Sequence, residues 1–341
     1  MEGKKKLTLK DIALRCDVST ASVSMALSGK GNISKSLRKE IHDVAAQMGY
    51  TKNRISKDPT GKTVAILMYI NHEWAYLQDF ITPIFTQLQV KLTKHNLYPT
   101  IIPITNMISN EEIKKSIHST DVVSIIALHY VNEMLFKELS YEGLPITIIN
   151  TSSLQKQFYS VCVDDYQGAY DGAKYLIELN HKNILYMDYW RRNQPEIYMD
   201  RFIGFKKAID EYNIPFESSQ RITFEIEDQS QVRSGIINTL RIYPNTTAIF
   251  AHDDRLAIRI YFELIEKGYK IPEDISIIAP GDTLDYSLPY IPKITTMKID
   301  TNLLGSLSAD IVIQRTLKST NALASIKVSQ QLVVRDSCRR I

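Results

Sequence analysis

Thr20, Ser22, Ser24 and Met25 are small or slim side chains left facing outward on one short helical pattern, the right dimensions to enter a major groove. Cations crowd around them. Residues 1–62 hold thirteen Lys/Arg against six Asp/Glu, a net +7, whereas the whole chain is +3, so residues 63–341 carry −4. A positive head on a mildly acidic body is what binding a phosphate backbone requires. A solvated lysine-rich face is the competing explanation, and the concentration of charge within one small bundle weighs against it. Enzyme chemistry finds no comparable footing. His181 and Asp200 stand alone, no serine sits in a nucleophile elbow, and neither a glycine-rich phosphate loop nor metal-ligand spacing occurs. Asp164-Asp165 suits a strand-end turn better than an acid/base dyad. The expectation is a protein that is not an enzyme, with no catalytic residue, no metal and no cofactor.

The outward-facing residues need elements to hold them. Leu7 to Met48 divides by periodicity into three short helices. Thr8 can cap the first, with Asp11 reaching back as a capping box, and Ile12, Ala13 and Cys16 form its apolar face. Asp17-Val18 breaks the pattern. Ser19 caps a second helix whose inward face reads Ala21-Val23-Ala26-Leu27, ended by Gly29 and Gly31. Ser34 caps a third, apolar at Leu37, Ile41, Val44, Ala45 and Met48. A helix, a tight turn and a second helix opening Ser-Thr-Ala-Ser fits a DNA-reading helix-turn-helix, and on pattern alone fits any three-helix bundle equally well. Residues 50–62 form a polar, basic linker closed by Pro59 and Gly61.

From Thr63 the period changes. Apolar strands are predicted at 64–69, 98–104, 122–128, 146–150, 161–163, 184–188, 248–251 and 275–279. Helical patterns fall near 77–95, 131–141, 166–180, 199–212, 229–241 and 254–267. That alternation implies parallel sheets covered on both faces, more plausibly two sheets than one, with a ligand site at the strands' carboxyl ends. At 341 residues two or three domains are expected. With no apolar run of about twenty residues, no membrane span is predicted. The basic start leads into polar helix rather than a secretion core, and Cys16, Cys162 and Cys338 lack disulfide spacing, which suits small buried side chains in a reducing cytoplasm.

The residues also carry a resemblance. Thr8-Leu9-x-Asp11-Ile12-Ala13, Val18-Ser19-x-x-Ser22-Val23-Ser24, Arg38, Gly49-Tyr50 and Asn53-Arg54 are similar to the head of the lactose-repressor/galactose-repressor (LacI/GalR) transcription regulators. Val163-Asp164-Asp165, His181, Arg201 to Phe205, Ala251-His252-Asp253, Ile271 to Ser276, Asp282 and Tyr290 to Thr296 extend it through the body. The resemblance implies an all-α helix-turn-helix head at 1–52, a hinge at 53–62, and a periplasmic-binding-protein-like α/β body at 63–341. That body would have two doubly wound parallel-sheet lobes, one of about 63–162 and 293–325, the other of about 163–292 and 326–341. It implies a cytoplasmic homodimer that binds double-stranded operator DNA and a small, carbohydrate-like effector. A periplasmic-type solute-binding protein shares that body, but lacks the head and normally carries a signal peptide.

By the same resemblance Thr20 and Ala21 are base readers, and Met25 stands where relatives carry a guanine-reading arginine. Methionine offers only apolar contact, for instance to a thymine methyl, or packs against the third helix. Ser22, Ser24, Asn32 and Arg38 can hold phosphates, Thr8 and Ser19 join them in the DNA-binding set, and Tyr50, Asn53, Arg54 and Ser56 extend it through the linker. Pro59 replaces the leucine that relatives insert into the minor groove, so any hinge helix should be short, near 53–57. For the effector, Arg201 and Asp253 match positions that grip hydroxyls or carboxylates, against the simpler alternative of a salt bridge. His252 replaces a frequent asparagine, and Gly281 an aspartate that clamps sugars, leaving Asp282 beside it. Asn71, His72, Trp74, Tyr76 and Phe80 are the first-lobe candidates, and Trp190 faces them from the second.

Overall fold

In the computed structural model, residues 8–28, 33–48, 61–70, 74–105, 107–152, 154–190, 196–225, 229–318 and 323–341 are described. The head is α1 (Leu9–Arg15), α2 (Thr20–Ser28) and α3 (Lys35–Gln47). Ile12, Ala13, Val23, Ala26, Leu27, Ile41 and Ala45 close its core. Capping sets the helix starts: Thr8 N donates to Asp11 Oδ2 at 2.7 Å, Ser22 N to Ser19 Oγ at 3.0 Å, and Leu37 N to Ser34 Oγ at 3.3 Å. Asp17 makes the turn between α1 and α2 in the left-handed region, φ 52°. Ala21 corrects the predicted inward face. It is exposed, because only Val23, Ala26 and Leu27 share the i, i+3, i+4 stripe.

Among the described residues the body holds two sheets of six strands. The first comprises β1 (Lys62–Tyr69), β2 (Leu97–Ile104), β3 (Val122–Leu128), β4 (Ile146–Ile149), β5 (Tyr159–Val163) and β11 (Ser325–Val328), in the order β11-β5-β4-β3-β1-β2. Between them run α4 (Trp74–Thr93), α5 (Asn110–His118) and α6 (Glu133–Tyr141). The second sheet comprises β6 (Ile184–Trp190), β7 (Arg221–Glu225), β8 (Ala248–Ala251), β9 (Ser276–Gly281), β10 (Thr295–Lys298) and β12 (Gln331–Val333), in the order β12-β10-β9-β8-β6-β7. It is flanked by α7 (Asp165–Glu178), α8 (Glu196–Glu211), α9 (Gln229–Ile242) and α10 (Asp254–Glu266), while α11 (Thr301–Lys318) returns to pack on α4. Among the described residues every pairing is parallel except β10 with β12. β3 is buried along its whole length, as a strand covered on both faces must be.

The crossings between lobes differ from the sequence expectation at two places. β10 pairs with β9, so residues 295–298 belong to the second lobe, and the chain crosses after Lys298 rather than near 292. β11 pairs with β5 through Val328, so the last crossing falls at 329–330 rather than at 326. Both strands are four residues long and at least half polar, and they are recruited by backbone pairing that side-chain pattern does not announce. Of the cysteines only Cys162 is fully buried; Cys16 and Cys338 are half-buried at the margins of apolar cores. Among the described residues, no helix is long and apolar enough to cross a membrane.

Candidate functional site

On the head, α2 turns Thr20 and Ala21 outward, with Ser24 half-buried and Met25 37% exposed on the same face one turn on. Ser19 and Ser22 hydroxyls lie 2.9 Å apart at the start of α2, and Thr8 is engaged with Asp11. Arg38, half-buried on α3, lines a cavity of about 310 Å³ with Lys39, His42 and Asp43, whose far wall is Glu138, Tyr141 and Glu142 of the first lobe. Asn32, Tyr50, Asn53, Arg54, Ser56 and Pro59 lie outside the described residues.

Segments that follow the carboxyl ends of strands in the two sheets meet between the lobes. Ser152, after β4, donates to Asp200 Oδ2 at 3.3 Å, and Asp79 of α4 pairs with Arg255 of α10. Both contacts join one lobe to the other, and the partly solvated Asp79–Arg255 pair contributes only about 0–1 kcal/mol. The effector candidates of the first lobe largely escape this geometry: Asn71 and His72 lie outside the described residues, as do the side chains of Trp74 and Tyr76. Phe80 is half-buried against the first lobe's core. Trp190 ends β6, its side chain likewise outside the description.

The second lobe supplies a buried polar chain. Arg201 of α8 is 4% exposed and donates from Nε to Asp165 Oδ1 at 2.8 Å. From Nη1 it donates to the His252 carbonyl at 2.7 Å, with His252 Nε2 at 3.3 Å. A guanidinium can only donate, so His252 Nε2 accepts and its Nδ1–H is left for Asp188 Oδ1, 3.0 Å away. Asp188 in turn takes Arg221 Nη2 on Oδ2 at 2.6 Å. Burial opposes both charges, yet Asp165 holds the Arg201 proton more tightly than usual, and His252 and Arg221 hold the Asp188 carboxyl below its ordinary range. Sequence reasoning singled out Arg201 and His252 but missed their anchors. Asp165 lay in a pair read as a turn, a role that Asp164 alone fills by capping α7 through Gln167 N at 3.4 Å. Asp188 was hidden inside a strand.

Two other candidates are occupied structurally. Asp253 Oδ1 caps α10, accepting from Leu256 N at 2.7 Å. Asp282 Oδ1 accepts from Thr296 Oγ1 at 2.9 Å and pairs with Arg335. Gly281 has φ +140°, and a Cβ there would lie 2.6 Å from Asp254 Cγ. A carboxylate therefore fills the space beside position 281 after all, supplied by the first residue of α10. Asp254 is 2% exposed and accepts from Thr283 N at 2.8 Å. Burial, reinforced by neighbouring Asp253, pushes its carboxyl up to about 6.

That shift has a sign. The folded protein binds the Asp254 proton more tightly than the unfolded chain, whose ordinary value is about 3.9. The associated stability is fully present below about pH 4 and is lost as pH rises through 6, amounting to about 3 kcal/mol. Urea unfolding from pH 4 to 7 should show Asp254→Asn losing this descent relative to the parent. Identical pH slopes in the two proteins would contradict the assignment.

Residues 8–53 match the family described as "Bacterial regulatory proteins, lacI family", and residues 173–338 match the "Periplasmic binding protein-like domain". The HTH-type transcriptional repressor PurR of Mannheimia succiniciproducens is 24% identical over 98% of this chain and 99% of its own. A transcriptional regulator CelR–cellobiose complex superposes with TM-score 0.70 at 19% identity, covering 97% of this chain and 99% of that one. The lac repressor dimer bound to operator and the anti-inducer ONPF superposes at 0.66, also 19% identical, over 98% and 100%.

Proposed function

The chain belongs to the LacI family of DNA-binding transcriptional regulators, and from that premise we propose that it is a homodimeric, cytoplasmic repressor whose operator affinity is set by a small polyol-like effector, a sugar or sugar derivative, in the cleft between the lobes. The observation that carries the effector half is the Arg201–Asp165–His252–Asp188 chain at the carboxyl ends of β6 and β8. Its alternation of donors and acceptors suits hydroxyls, which both give and receive hydrogen bonds, and a pre-built polar chain penalises any ligand that leaves it unmatched. The cellobiose carried by the CelR relative supports the same ligand class. Control of DNA binding requires that the ligand prefer one lobe arrangement, since equal affinity for both shifts nothing. The partly solvated Asp79–Arg255 bridge between the lobes is weak enough for such a preference to decide. A dimer would present two heads to a near-palindromic operator.

A thermal-shift screen of sugars, sugar phosphates and nucleobases tests the effector. A compound at a hundredfold its Kd adds about 2.7 kcal/mol of stability, and the same compound must change duplex affinity. A screen in which sugars leave both quantities untouched while nucleobases move them would replace the proposed ligand class.

The exposed Met25 carries a second expectation. Lacking an arginine fork, α2 should show little guanine preference at the base pair beneath it. Met25→Arg should add one worth about 1–3 kcal/mol. Selection from randomised duplexes checks this, and an unchanged base preference would mean that Met25 does not face the bases.

A further inference from the structure

The last crossing between the lobes contains a side chain that reaches the effector-binding chain. Gln330 lies between β11, the last strand of the first sheet, and β12, which returns to the second. It is 9% exposed. Its Nε2 donates to Asp165 Oδ1 at 3.2 Å and approaches the Asp164 carbonyl at 3.5 Å. That Oδ1 is the same oxygen that takes Arg201 Nε. A carboxylate only accepts, so the amide must turn its NH2 toward Asp165, which leaves Oε1 buried with no hydrogen-bond partner. The position is carved rather than incidental. A Cβ at Gly168, in the first turn of α7, would lie 2.3–2.6 Å from the Gln330 amide, so glycine there makes the room.

We propose that Gln330 is a positioning residue that ties the third interlobe crossing to the Arg201–Asp165 pair and thereby sets the balance between the lobe arrangements that bind and release DNA. The inference rests on the reading that lobe rearrangement controls DNA affinity, but on no particular effector. One half of the amide is satisfied in this arrangement and the other is not. A buried carbonyl without a donor favours any rearrangement that supplies one, whereas the Nε2–Asp165 contact favours the arrangement seen here. Gln330 is thus held between two states by one bond made and one missing. A ligand that draws on Arg201 alters Asp165, and with it the only hydrogen bond to a carboxylate recorded for Gln330 among the described residues.

The test uses the full-length chain with no small molecule added. Gln330→Met keeps the volume and removes the amide. Gly168→Ala leaves Gln330 intact but displaces its amide from the notch, in a helix that alanine favours. The probe is a labelled duplex selected from a randomised pool by the parent protein. Both variants should shift its Kd in the same direction by about fivefold or more, within the range of measured coupling between sites. Their melting temperatures should stay within about 4 °C of the parent. Because both act on one contact, the double variant should shift the Kd no further than the larger single one. Parental Kd in Gln330→Met, opposite shifts in the two variants, or additive shifts in the double would each overturn the proposal. So would a Kd that weakens only in step with falling melting temperature, the mark of a merely structural role. Should Gln330→Met not fold, Gly168→Ala alone decides, parental affinity counting against. Failure of the sugar screen would leave this outcome standing, and a successful screen with parental Kd in both variants would remove Gln330 alone.

Discussion

Cut back to residues 61–341, the protein is expected to remain folded and dimeric and to lose specific duplex binding by at least about a thousandfold. The cut falls at Gly61 because β1 begins at Lys62, whose N–H already pairs with the Asn96 carbonyl. Thr20, Ala21 and Met25 project exposed from α2. The charge follows the same line, net positive before residue 63 and net negative after it. What remains would repel a phosphate backbone, so lowering the salt should not recover binding. Anisotropy with a labelled duplex at several salt concentrations measures this. A truncated body that held the duplex with a steep salt dependence would place the DNA site elsewhere.

The other large effect is expected at Arg201. Arg201→Ala strands Asp165, 6% exposed, without its cation. Removing one member of a buried pair costs about 3–5 kcal/mol, because an uncompensated charge stays inside. Urea unfolding should show that loss, and Asp165→Asn added to Arg201→Ala should recover part of it by removing the stranded charge. The same single variant should abolish any sugar-induced thermal shift. Below its melting transition it should still bind duplex, since the head is untouched, but with a Kd shifted from the parent's, because Asp165 Oδ1 has lost one of the two donors that tie it to the third crossing. A stability loss under about 1 kcal/mol would mean that the pair is solvated, and an unchanged sugar response would move the effector site away from Arg201.

Legibility in the sequence followed physical cause. The head was readable because caps and a short apolar stripe determine it locally: Thr8, Ser19 and Ser34 all stand at the helix starts assigned to them. Fully buried strands such as β3 and β8 were readable because a strand covered on both faces must be continuously apolar. β7, β10, β11 and β12 were not, because edge or short strands owe their place to backbone pairing. α11 hid behind a weak stripe interrupted by Gly305, which is needed where a Cβ would lie 2.6 Å from the Ile84 carbonyl. At the cleft, single residues matched to relatives were visible, but their partners were not. Nothing in the spacing of Asp165, Arg201, His252 and Gln330 says that they meet, since they sit on two helices, one strand end and a crossing brought together only by the fold. Asp254 was invisible for the same reason, because its proximity to Gly281 joins a helix start to a strand end.

The threefold passage of the chain between the lobes also decides how the molecule can come apart. A single proteolytic cut between Met48 and Gly61 severs the head, since nothing after Gly61 returns to complete its three helices. No single cut can divide the lobes. The first sheet needs β11 from beyond residue 324, and the second needs strands from 184 to 298 together with β12. Each lobe therefore closes only when distant segments of the chain have met, and losing either sheet strands the other's connections. The body should consequently melt in one cooperative transition, with protease resistance lost in both lobes together, while the head, built from contacts local in sequence, can open and reclose on its own.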